Sequence, residues 1–225
     1  MFNLLSVVVA VAISGFMAAA GVFYTGSAFT NMSAKAQAVQ VLSAMEQIDA
    51  AWTMWSNDGN TTTASLPSST VLTSATPPTY MSSYPPAINT ATTFGTGPTA
   101  AGYVIDSTGT GGATAAGNET TNTGVYTVLT STTGANACLE IAKSAGYVAS
   151  TASSFTGLAN ITVNAVTVAV SGITTKAELD ALGAVYRYFC VPLGTTTATI
   201  ILGGAANTIA VGGDTGKHVA YFKHM

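Results

Sequence analysis

The chain has 225 residues, of which 7% are charged, with a net charge of −3 and an isoelectric point near 5.1. A globular domain ordinarily carries about 25% charged residues, so the wet surface here must be built from Thr, Ser, Asn and Gly, as in secreted and cell-surface chains. No basic footprint exists for nucleic acid, and nucleic-acid binding drops out as a leading function.

The first element in chain order is an apolar run, Leu4 to Tyr24, without a charge or a Pro; the first charge is Lys35. About 20 apolar residues in a helix span a hydrocarbon core, so the run qualifies as a membrane span. A secretory signal is the competing reading, with "MAAAG" at 17–21 as a cleavage site. No Lys or Arg precedes the run and it is long for a signal core, so a retained span is expected.

The helical pattern continues past the run. Ser27 to Trp55 lacks Gly and Pro and is dense in Ala, Met, Leu, Gln and Glu, all good helix formers. Phe29, Met32, Val39, Leu42, Met45, Ile48, Trp52 and Trp55 recur at three- and four-residue spacing and define one apolar stripe. "SNDGN" at 56–60 stops it. The expectation is one helix over residues 1–58, about 80 Å long at about 1.5 Å per residue, apolar on every side in its first half and on one side in its second. Glu46 and Asp49 are expected on a solvated or subunit-facing edge.

Residues 59–100, with "PP" at 77–78 and 85–86, read as a Thr/Ser/Pro-rich connecting loop. Residues 101–225 read as a head. Its β-branched runs "YVI", "VYTVLT", "ITVNAVTVAV", "TATIIL", "TIAV" and "HVAYF" predict strands of an antiparallel sheet. "NACLEIAKSAG" predicts a helix capped by Asn136 and stopped at Gly146, and "TKAELDALGAVYRYF" one opened by a Thr175/Glu178 capping box. The two cysteines, Cys138 and Cys190, fit no metal spacing and are expected to form one disulfide. Such a bridge contributes roughly 4 kcal/mol in the chain-entropy model. The fold class is therefore α+β: a long N-terminal helix packed on an antiparallel head closed by one disulfide.

Little in the sequence points to catalysis. "GTGPTA" at 95–100 imitates a dinucleotide loop but follows no strand and places Pro98 where a helix should start. His218 and His224 flank the last strand on one face, a weak two-His pattern better read as surface histidines. No catalytic motif or acid pair occurs among the nine carboxylates, and the expectation is a non-enzyme with no metal or cofactor. Sequons stand at Asn31, Asn60, Asn118 and Asn160.

Residues 1–60 resemble type IV pilins, and the bundle-forming type IVb subgroup in particular, through "LLSVVVAVAISGFMAAAGVFYTGSAFTNMSAKAQ" and "LSAMEQIDAAWTMWSNDG"; "NACLEIAKSAGY" and "KHVAYFKH" agree with it. The resemblance implies removal of a leader by a prepilin peptidase, N-methylation of Met1, residence in the inner membrane before assembly, and incorporation by a pilus assembly machinery into an extracellular helical homopolymer. It implies a filament core built from Leu4, Leu5, Val8, Val11, Phe16, Val22 and Phe23. Ser14, Gly15, Gly21 and Gly26 would be a stretch that melts in the filament, or else a site of close helix packing. One departure stands out: Leu5 occupies the position where the family carries Glu, so the Met1 ammonium must find another acceptor, lie near the filament axis with water, or lose its proton, with Asn3 and Ser6 the nearest polar residues. The alternatives are a minor pilin, or a pilus-tip or membrane-anchored adhesin whose head binds a surface ligand.

Overall fold

The computed structural model describes residues 2–59, 69–74, 79–86, 102–106, 123–194, 199–201, 208–210 and 216–224, with backbone alone for 2–28, 69–70, 106, 199–201 and 208–210. Helix α1, Phe2–Asn57, is followed by α2, Ser69–Leu72, β1, Val104–Asp106, and β2, Gly124–Leu129. Then come α3, Ser131–Ala145, β3, Ile161–Val163, β4, Val166–Val168, and α4, Lys176–Val185. The chain continues through β5, Tyr188–Pro192, β6, Thr199–Ile201, β7, Thr208–Ala210, and β8, His218–Lys223.

Helix α1 is the unbroken element that the composition of residues 27–55 predicts, and it ends within the expected turn, where Gly59 takes φ +82°. Its backbone stays helical through Gly15, Gly21 and Gly26. The main sheet has the order β1-β2-β8-β5, antiparallel throughout. All six residues of β2 are buried, because both faces of the sheet are covered. On one face Val125, Leu129, Cys190, Ala220 and Phe222 meet α1 and α3. On the other, Tyr126, Val128, Phe189, Val191, Val219 and Tyr221 meet α4 and the β3–β4 hairpin. The period of two along each strand thus feeds two separate cores.

The disulfide forms between Cys138 of α3 and Cys190 of β5, with Cα atoms 5.2 Å apart and both residues fully buried. Strand β5 is the sheet edge beyond β8, and the hydroxyl of Tyr147 closes its outer backbone: it accepts from the Cys190 N–H at 3.0 Å and donates to the Cys190 carbonyl. An edge so covered offers no free ladder to another chain at that point.

Several expectations give way. Helix α3 starts at Ser131 behind Thr130, not at Asn136, because β2 feeds the helix directly; Gly134 and Ala137 are buried within it. Gly146 does end it, at φ 89°. The capping box of Thr175 and Glu178 is present, but α4 stops at Val185 and "YRYF" leaves as a turn and strand β5, drawn into the sheet by pairing with β8. "ITVNAVTVAV" is a hairpin rather than one strand, turning at Asn164 and Ala165 with φ 48° and 64°. Positive φ at both central residues is the mark of a type I′ turn. Among the described residues, strands β6 and β7 also pair only with each other. The connector holds the short helix α2, whose Leu72 is fully buried; "GTGPTA" lies outside the described residues.

Candidate functional site: the two faces of the long helix

The second half of α1 is where head and helix meet. Its buried residues are Ala34, Ala38, Val41, Ala44, Met45, Ile48, Ala51, Trp52 and Trp55. The lower part of the expected stripe, Met45 to Trp55, packs as predicted and Leu42 packs partly, but the other three residues do not. Phe29, Met32 and Val39 are 71%, 69% and 66% exposed. The face that seats the head is marked instead by small alanines, which allow α1 and α3 to approach closely. Two apolar stripes therefore run along α1, one facing the head and one facing away from it.

A polar lock fixes the helix to the sheet. Asp49, 7% exposed, meets His224 just past β8, with Oδ1 2.6 Å from Nδ1. One turn along α1, the indole of Trp52 stacks on the same imidazole at 3.9 Å between ring centroids and 9° between planes. The His224 backbone N–H donates to the Thr123 carbonyl. Asp49 is thus no solvated edge, contrary to the sequence expectation, whereas Glu46 is exposed. His218 and His224 do lie at opposite ends of β8, yet neither is a free surface histidine. His218 is 7% exposed, and burial pushes its imidazole down to about 4, with the Gly216 backbone acting in the opposite sense. No cluster of three metal-binding side chains exists among the described residues.

Beside the outer stripe lies a groove of about 560 Å³ between α1 and the 79–86 segment, with Val39, Ser43 and Gln47 on one wall and Pro85 and Pro86 on the other. The expected core residues Leu4, Leu5, Val8, Val11, Phe16, Val22 and Phe23 all lie on the helical backbone of α1, as do Ser14, Gly15, Gly21 and Gly26, in the part described without side chains; Met1 lies outside it. Among the residues described with side chains, no helix is long and apolar enough to cross a membrane, and the Leu4–Tyr24 run falls outside that set. The alanine face could have been found by giving Ala the weight of a packing residue; the Asp49–His224 pair left no local signal, being 175 residues apart.

Comparison of the chain with protein-family models, with curated proteins and with solved structures returns no match.

Proposed function

We propose that the protein is a structural subunit of an extracellular type IVb-like pilus, assembling through its N-terminal helix into a helical homopolymer. The observation that carries this reading is the second stripe of α1. Phe29, Met32 and Val39 stand exposed on a helix whose opposite side is committed to the head. An uncharged, predominantly apolar sequence precedes them on the same continuous helix. A helix apolar on every side needs lipid or other such helices around it. A subunit of this shape can wait in a bilayer and pass into a bundle of its copies without meeting water.

Magnitudes support the route. Moving about 20 apolar residues from water into a helix bundle gains tens of kcal/mol at about 25 cal/mol per Å². Transfer from lipid gains far less, so close helix packing and head contacts supply the remaining drive. The pilin fold, the leader processing and methylation at Met1, the inner-membrane stage and the assembly machinery follow from the same reading. No enzymatic step is needed.

The test is electron microscopy of the chain expressed with a pilus assembly system. Uniform filaments labelled along their length by an antibody to the head are expected. A chain that stays dispersed in native membranes, with no fibre ever containing it, would falsify the reading.

A further inference from the structure

A cleft of about 500 Å³ opens at the end of the sheet where β8 begins, away from the Asp49–His224 lock. That volume lies within the range of about 300–1,000 Å³ typical of small-molecule sites. One wall comes from α3, with Asn136 and Leu139, and a second from the loop bearing Phe155 and Thr156. The third is almost bare backbone, because Gly172 and Gly194 approach so closely that no side chain fits. A Cβ on Gly194 would lie 2.9 Å from the Ile173 carbonyl, and one on Gly172 3.1 Å from the Gly194 Cα. The Gly194 N–H donates to the Ile173 carbonyl at 2.8 Å, which holds that wall in place.

The chemistry of the lining is uniform. None of the described residues around the cleft bears a carboxylate, an ammonium or a guanidinium. The Phe155 ring sits 5.7 Å from His218, tilted by 39°, and with Leu139 and Leu193 it gives an apolar floor. Around it stand the Asn136 amide and the Thr156 and Ser171 hydroxyls. His218 also lines the cleft and is more than nine-tenths buried; its ring hydrogen-bonds the Gly216 backbone, while Nδ1 has no partner among the described residues. A buried polar atom of this kind is costly unless something answers it.

An apolar floor, a ring of neutral donors and acceptors, and no charge among the described lining residues together describe the complement of one ligand class. A pyranose presents a C–H face to an aromatic ring and a girdle of hydroxyls to amides and hydroxyls. We infer that the cleft between α3, the Phe155 loop and the Gly172/Gly194 wall is a binding site for an uncharged saccharide, with a sugar hydroxyl meeting His218. The site belongs to the head alone, so it stands or falls independently of the filament reading.

The test uses the full chain in a zwitterionic detergent without a sugar headgroup. Saturation-transfer NMR titrations employ glucose, galactose, mannose and N-acetylglucosamine, with glucuronate as the charged counterpart. Saturable binding of at least one neutral sugar is expected, with Kd of about 1 mM or tighter. Asn136→Trp and Ser171→Leu, at incompletely buried positions on two different walls, should each weaken it by about tenfold or more. Glucuronate should bind more weakly by a similar factor. Circular dichroism establishes which variant keeps the fold, and one folded variant suffices. Absence of saturation by every neutral sugar, undiminished binding in a folded plugged variant, or equal binding of glucuronate each overturns the assignment.

Discussion

Glu178 shows how much one side chain can hold. It is 5% exposed, and its two oxygens accept from the backbone N–H groups of Ala169, Thr174 and Thr175 and from the hydroxyls of Thr174 and Thr175. Burial by itself raises a carboxyl, but these donors outweigh it and leave Glu178 below its ordinary value. Stability from this group is therefore present above the unfolded value near 4.5 and lost as pH falls through the lower folded one. Glu178→Ala, which strands three N–H groups, should cost about 3 kcal/mol in urea unfolding.

His218 acts in the same direction in a higher window. The unfolded chain takes up its proton near 6.5 and the fold only near 4, so the unfolded state binds more protons between the two and stability falls as pH drops through that range. The loss should approach roughly 3 kcal/mol by pH 4. Urea midpoints measured from pH 7.5 downward should show this step in the parent and not in His218→Gln. Ala165 is a different kind of residue: it holds φ 64° without being a glycine. Ala165→Gly should raise stability by about 1 kcal/mol, read as an upward shift in the thermal midpoint.

Among the elements, α1 was the most legible and also the most misread. Its length and its stop came from composition and from "SNDGN", which act locally and so survive any tertiary arrangement. The choice of face is not legible from large apolar residues alone, because packing of the helix on the head selects the small Ala34, Ala38 and Ala44 over Phe29, Met32 and Val39. The capping box of α4 was readable for the same local reason. The β3–β4 hairpin was hidden because "NA" lacks the glycine that usually marks such a turn. The disulfide was readable from two lone cysteines. The cleft at His218 was not, since its walls come from five separate segments. Replacing Phe29, Met32 and Val39 together by Gln should leave the urea midpoint of the head within about 0.5 kcal/mol and abolish filaments by electron microscopy. Filaments persisting in the triple variant would remove the outer stripe from the assembly.

For the whole molecule, the head is a three-layer body with a projecting helix, and among the α1 residues described with side chains the first found in its core is Ala34. Removal of residues 1–28 should therefore leave a folded head, with the Cys138–Cys190 bridge intact by mass spectrometry, that no longer enters filaments. Reducing that bridge releases α3 from the sheet edge and should cost roughly 4 kcal/mol in the unfolding midpoint.

The order in which the pieces are made bears on how the head closes. Strand β8 is the last of the described elements along the chain yet lies inside the sheet, between β2 and β5, and His224 beyond it reaches back to Asp49 on the first helix. During synthesis β2 has β1 on one side but nothing on the other, and β5 has no partner in the main sheet, until the ribosome has passed Lys223. The nascent head stays open until then and shuts as one late event. Translation stalled before His218 should leave a product that proteases clear, however complete its first two hundred or so residues look on paper.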